Sequence, residues 1–492
     1  MNSRVNRALI FQGGGSLGAY EAGAYKAIKE ELSRYSRTKE IGNEPLFHIV
    51  SGTSIGAINA AILVSYVKEN KTWEGSDERL VEFWEYVSTE SSVEKIPYFT
   101  HFWDSWHRLD RRVASGESVR RYISTKEFIL KGVPNVFIPK TPLLDSKFFD
   151  PLNTWYLYDN KPLKESIEKF ARFPISTSLD KDEPRLLLVA VDVQEATPVV
   201  FDSYEKEDGT RKSEYGRYGR IKSSDGSVEN QDNEAFEYVI RYEDGIKSDF
   251  VLASSSIPVN YDYTRLNVET RTLDMEGQGN DTAIKDSNIR SSSPPTPSSN
   301  SNSSLRYFWD GGLLANTPLS QTYIAHIDYW RRVKKIEDNI PSLRFSIINL
   351  HPAKQENLPT DYDGVVDRRN DVIYHDRTEF DENIAVLMSD LVTLADSLIK
   401  LAKEKDASKE ELQKILKEKT KGIFFSTGKQ GTYDDLVKGI VNLDFVARLE
   451  RKNDANNISN KTFDFSKTTV RQLIQNGYTE TKEQLKQVHV ME

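Results

Sequence analysis

The 492-residue chain contains no cysteine, only four methionines and seven histidines, and no excess of basic residues. The missing cysteine excludes disulfide staples, thiolate-bound zinc or iron–sulfur sites, and any thiol nucleophile. Sixty-six Lys and Arg stand against 75 Asp and Glu, for a formal charge of −9. The basic face of a nucleic-acid binder and the clustered Lys/Arg of a polybasic membrane anchor are both lacking. Long apolar runs are lacking too. The longest, residues 55–67, falls well short of the roughly 20 residues that span a bilayer. The amino-terminal stretch MNSRVNRALIFQGGG passes from a basic start through a short apolar segment straight into glycines, without a small-residue cleavage site. Together these absences lead us to expect a soluble, cytoplasmic protein, with no nucleic-acid partner, metal or cofactor.

What is present begins with two strand–glycine–helix units. Residues 8–12 (ALIFQ) form a short apolar run, read as a buried parallel strand. It leads into Gly13-Gly14-Gly15-Ser16-Leu17-Gly18 and then AYEAGAYKAIKEEL, apolar at helical spacing. Residues 46–50 (LFHIV) are the second strand, followed by Ser51-Gly52-Thr53-Ser54-Ile55-Gly56 and the helix AINAAILVSYV. Further buried strands are expected at 186–191 and 344–350. Strands alternating with helices predict an α/β fold with a parallel sheet between helical layers. Asp244-Gly245, within EYVIRYEDGIKSDF, carries the signal of a hairpin turn. The Ser-, Asn- and Pro-rich residues 275–305 cannot bury enough apolar surface to order themselves and read as a flexible surface insertion. Beyond 350 the chain turns charged and helical, with amphipathic spacing over 383–403 and a capping box at Ser408-Lys409-Glu410-Glu411.

The sharpest chemical signal is Gly52-Thr53-Ser54-Ile55-Gly56 between an apolar strand and an apolar helix, the context of a nucleophile elbow. Small neighbours let the chain turn tightly around the serine, and the helix aims its N-terminal dipole at developing negative charge. The plain alternative is a serine that merely caps the helix. The loop Gly13–Gly18 has three readings: dinucleotide cradle, oxyanion hole or tight turn. A dinucleotide-binding oxidoreductase requires an acidic residue at the end of the second strand, and that strand runs into the serine elbow instead. As an oxyanion hole, the backbone N–H groups of Gly13, Gly14, Gly15 and Ser16 would face Ser54, with Gly18 opening the helix.

For a base, His351 is the best placed histidine, just after the strand at 344–350. His48 sits within a strand, and His101 and His107 lie in an aromatic segment. The alternative is Asp310, which ends the aromatic run Tyr307-Phe308-Trp309 and precedes Gly311-Gly312, at the carboxyl end of a strand where α/β sheets place their sites. An Asx turn is the bland reading of the same Asp.

Three blocks in this order, Gly13–Gly18, Gly52–Gly56 and Asp310-Gly311-Gly312, resemble the patatin-like phospholipase family. Leu143-Leu144-Asp145, Val189–Asp192 and the stretch from Val251 to Pro258 are weaker matches, and Asp367–Asp371 resembles a prokaryotic branch. The resemblance implies a patatin-type α/β/α sandwich with a helical C-terminal extension. It implies hydrolysis of acyl esters of lipids by a Ser54–Asp310 dyad without histidine, through an acyl-enzyme, with the 13–18 loop as oxyanion hole. Leu17 stands where the family often has a basic residue. The expected organisation is a catalytic domain over 1–355, with an aromatic cap at 90–140 and the insertion at 275–305, followed by a mainly helical region over 356–492. A lipid or fatty-acyl ester is the expected substrate. Transient contact with a membrane surface and oligomerisation through the C-terminal helices are the other expected associations. A non-catalytic regulatory protein on the same fold is the remaining alternative.

Overall fold

The computed structural model describes residues 5–487 except 39–44, 111–112, 141–154, 216–234, 274–301, 337–339, 357, 406–407, 424–429, 439–440 and 442. The block Leu143-Leu144-Asp145 and most of the Ser-rich insertion therefore lie outside the described residues. Ten strands form one sheet: β1 (Val5–Phe11), β2 (Ile49–Thr53), β3 (Arg185–Asp192), β4 (Thr197–Asp202), β5 (Glu214–Tyr215), β6 (Ala235–Val239), β7 (Thr264–Leu273), β8 (Asn302–Asp310), β9 (Ser342–Asn349) and β10 (Leu443–Glu450). The helices that matter here are α1 (Gly18–Thr38), α2 (Ile55–Asn70), α3 (Phe99–Leu109), α4 (Ser248–Ser255), α5 (Tyr362–Tyr374), α6 (Glu379–Glu404) and α7 (Lys467–Gln487).

The spatial order is β10-β9-β1-β2-β3-β8-β7-β6, with β4 and β5 off the main path. From β10 to β3 every neighbour is parallel, and from β3 onward the pairing is antiparallel. Alternation along β1 feeds two cores. Leu9 and Phe11 join α1 and α2 on one face, while Ala8 and Ile10 join Phe345, Ile347 and Leu319 on the other. This is the α/β architecture with helices on both faces, as the strand–helix alternation predicts. Helix α2 is buried almost all round, which explains why its apolar residues show no one-sided spacing.

Two features differ from the sequence reading. Residues 443–450 add a parallel strand beside β9, so the region after 356 contributes to the sheet as well as covering it with helices. Asp244-Gly245 is a turn, with Gly245 at φ 119°, but no hairpin surrounds it. Arg241 bridges to Lys212 and Ile246 to Ile175, so its arms pair with different partners. A turn dipeptide specifies local geometry only; what the flanks pair with is decided by the tertiary context.

Helix α7 crosses α1 at very short range. A methyl on Gly23 would lie 1.9 Å from the Ile474 carbonyl oxygen, and one on Gly477 would lie 2.1 Å from that of Tyr20. Glycine at both points is what lets the two backbones touch.

The register of β8 on β3 is fixed by charge as well as hydrogen bonds. Arg306 Nε and Nη2 donate to the buried Asp192 carboxylate at 2.6 and 3.0 Å. Removing Asp192 leaves the buried Arg306 with Glu195 as its remaining ion-pair partner, so the loss approaches, from below, the about 3–5 kcal/mol that breaking a buried pair costs. Asp192→Ala is therefore expected to shift the chemical-unfolding midpoint markedly downward, whereas an unchanged midpoint would show that the register is held by the strands alone.

Candidate active site

Strand β3 explains how the candidate residues meet. One of its edges pairs with β4 over 187–192. The other edge is shared: β2 pairs along 185–189 and β8 along 190–192. Strand β2 runs parallel to β3 and ends at Thr53 opposite Val189. Strand β8 runs antiparallel and ends at Asp310 opposite Ala190. Two strands thus end head-on, and the residues leaving them, Ser54 and Asp310, are brought together although they lie far apart in the sequence.

Ser54 Oγ donates to Asp310 Oδ2 at 2.5 Å. Asp310 Oδ1 accepts the Gly312 N–H at 2.7 Å, so an Asx-type turn orients the carboxylate. Ser54 sits at φ 58°, ψ −125°, a conformation that costs a non-glycine residue about 1–3 kcal/mol. Although it is the N-cap residue of α2, its side chain caps nothing. Its amide is fixed by the Ser254 carbonyl and hydroxyl, both at 3.1 Å, and that hydroxyl in turn donates to the Val189 carbonyl. The turn's glycines are sterically required. A methyl on Gly52 would come within 2.2 Å of the Gly56 carbonyl oxygen, and one on Gly56 within 2.5 Å of the Phe11 carbonyl oxygen.

The site is nearly dry. Ser54 is 6% exposed and Asp310 5%. Burial pushes the Asp310 carboxyl up to about 6, partly opposed by the hydrogen bonds from Ser54 and Gly312. That range suits a group exchanging protons near neutrality.

The glycine loop lies against this pair. A methyl on Gly13 would stand 3.1 Å from Ser54 Cβ and 2.4 Å from Asn316 Oδ1. Gly15 takes φ 57°, and a side chain there would meet the Thr462 carbonyl oxygen at 2.5 Å. Among the described residues, the amides of Gly14 and Gly15 are spent on no other group, whereas that of Gly13 reaches Asn316 O at 3.4 Å. Ser16 Oγ donates to the Lys461 carbonyl at 2.8 Å.

Several bracing residues carried no signal of their own in the sequence. Asn316 Nδ2 donates to Tyr374 O at 2.7 Å and to Gly13 O at 3.4 Å. Gln12, just before the loop, donates to Thr317 Oγ1 and Tyr374 O and accepts the Leu350 and His351 amides. Its own amide donates to the wholly buried Glu21, which also accepts from Asn59. Burial holds the Glu21 carboxyl well above the usual range.

His351 is on the far side of the loop, with Nδ1 3.0 Å from Asp371 Oδ1 and Nε2 3.5 Å from where a Gly14 methyl would be. Burial lowers its pKa, and although Asp371 opposes this, Lys461 and Arg451 add to it. The hydrogen-bond partner of Ser54 Oγ is Asp310, not this imidazole. His48 lies against β1, where its Nδ1 accepts the Arg7 amide. His101 and His107 are on α3, which has no buried residue. No group of three His, Asp or Glu side chains among the described residues is placed to hold a metal. No described helix is long and apolar enough to cross a membrane.

An α/β sheet presenting a serine on a strained strand-to-helix turn has the architecture of the α/β acyl hydrolases. The model of the family described as patatin-like phospholipase matches residues 9–323. The chain belongs to this family, which places it among lipid acyl hydrolases. No curated protein matches the chain. Among solved structures, VipD from Legionella pneumophila aligns at 10% identity and a TM-score of 0.28, over 98% of this chain and 67% of that one; a likeness that slight carries no argument.

The glycines after Asp310 differ in what they tolerate. A methyl on Gly311 would be 2.2 Å from the Val189 carbonyl oxygen, a backbone atom, whereas one on Gly312 meets only side-chain oxygens at 3.0 Å. Gly311→Ala should therefore lower the melting temperature by several degrees more than Gly312→Ala. Equal melting curves would show that β8 can shift without loss.

Proposed function

We propose that the protein hydrolyses carboxylic esters of lipids with Ser54 as nucleophile and Asp310 as general base. The observation that carries this reading is the 2.5 Å hydrogen bond from a strained Ser54 to the buried Asp310 carboxylate. Asp310 takes the hydroxyl proton as Ser54 Oγ attacks the acyl carbonyl. The carbonyl oxygen becomes an oxyanion beside the Gly13–Ser16 loop, where the Gly14 and Gly15 amides would bind it. Collapse of this intermediate breaks the ester bond; Asp310 returns its proton to the departing alcohol, leaving the acyl-enzyme. Water, deprotonated by Asp310, then attacks the acyl–serine ester; collapse breaks the bond to Ser54 Oγ, Asp310 returns the proton to that oxygen, and the fatty acid is freed. Every step uses groups of this chain and water. The acid-free end of β2 and the proximity of the glycine loop to Ser54 favour this reading over nucleotide binding.

Helix α3 bears exposed Phe102 and Trp106, and Tyr98 precedes it. Aromatic side chains of this kind suit the interface between water and a lipid aggregate.

Labelling with a fluorophosphonate tests the nucleophile: the wild type should react, and Ser54→Ala should not. Asp310→Asn should lower ester turnover by on the order of 10⁴-fold while keeping the wild-type circular dichroism spectrum; near-normal rates from that variant would exclude the dyad. The base works only as carboxylate. Accordingly kcat/KM should fall tenfold per pH unit below about 6, the raised value of Asp310, and level off above it. A profile flat down to pH 4 would assign the proton to another group.

A further inference from the structure

Helix α6 has two unlike faces. Ala385 and Ser389 are buried and Val392 and Ile399 half-buried on the side turned to the body of the protein. Arg448 of β10 pairs with Glu382 in its first turn and with Asp376 just ahead of it, so the helix is tied to the sheet. The other face carries Phe380, Ile384, Leu387, Leu391, Leu394, Leu398 and Leu401, each 45–70% exposed. The steps alternate four, three, four, three, four, three. That repeat of 3.5 residues is the seam of a coiled coil, not the 3.6-residue stripe of a helix lying on a core. The run of Leu, Ile and Phe points outward while the two buried positions are the small Ala385 and Ser389, the reverse of a helix whose only partner is its own domain.

The geometry points to a second copy of this chain as the occupant, with α6 packing antiparallel against its twin. The seam runs about 32 Å at 1.5 Å per residue, and its seven half-exposed large side chains supply a patch of the order of the roughly 800 Å² per partner that a stable interface buries. Met388, Ala395 and Ala402 along one flank add no charge to be desolvated. Charge decides the direction. The first turn of α6 carries Glu379 and Asp381 besides the Arg448-paired Glu382, and the last turn carries Lys403 beside Glu404, with Lys405 just beyond. Antiparallel pairing sets the acidic end of one helix beside the basic end of the other and opposes their dipoles favourably. A two-fold axis closes such a contact, so it stops at a dimer. A helix lying on lipid would instead carry Lys and Arg along its polar face, whereas α6 mixes both signs. This inference is independent of the catalytic reading.

Sedimentation at micromolar concentration should give about twice the chain mass of 56.3 kDa. The double variant Leu391→Glu, Leu398→Glu, altered only at exposed positions, should sediment at half the wild-type mass with an unchanged circular dichroism spectrum. A monomeric wild type, or a double variant that stays dimeric, would overturn the proposal. So would flotation of a monomeric wild type with phosphatidylcholine vesicles that the double variant loses, which would give the face to lipid. Since the chain has no cysteine, introduced ones report direction. Leu391→Cys chains, near the seam's midpoint, should oxidise to a linked dimer and Ile384→Cys chains should not; linkage of Ile384→Cys to itself would overturn the antiparallel arrangement.

Discussion

The candidate site depends on one edge of one strand. Strand β3 offers a row of hydrogen-bonding groups along which β2 arrives from one end and β8 from the other, and they meet between Val189 and Ala190. Because a sheet permits only whole-residue steps of register, slipping either strand by two residues would move its terminal side chain by nearly 7 Å. Buried packing on β2 and the Arg306–Asp192 ion pair on β8 guard against that slip. The strain at Ser54 persists because the surroundings over-determine it: Gly52 and Gly56 close the turn, and the Ser254 carbonyl and hydroxyl hold its amide.

Parts of the chain far outside the family-matched segment complete the surroundings of the glycine loop. Leu350 and His351 bind Gln12, Tyr374 binds Gln12 and Asn316, and the Lys461-Thr462 backbone fits against Ser16 and Gly15. The loop therefore has its shape imposed from two directions. Its own glycines make close approach possible, and the later segments determine where it comes to rest.

How much of this could be read from the sequence follows from how local each signal is. The loop at 13–18, the elbow at 52–56 and the Asp310-Gly311-Gly312 block were legible because each combines a strand, a tight turn and a helix or turn within a few residues. The α/β layering was legible for the same reason, from strand–helix alternation. The bracing role of Asn316 was not, since its partners Gly13 and Tyr374 are set by tertiary packing. Residues 443–450 mix Leu, Phe, Val and Ala with Asp, Arg and Glu, and only the neighbouring β9 makes them a strand. His351 looked available as a base because sequence gives its place after a strand but not its partner, Asp371.

The crossing of α1 by α7 has a consequence for the order in which the protein matures. Helix α1 continues directly from the glycine loop, yet the helix that lies over it, backbone against backbone at Gly23 and Gly477, is synthesised long afterwards. On the ribosome the first units emerge with one flank of α1 bare, and the backbone of Lys461 and Thr462 that seats the loop does not yet exist. The nascent chain thus carries its serine elbow for most of its synthesis without a finished loop opposite it, and the closing helix acts as a late clasp that completes this end of the molecule.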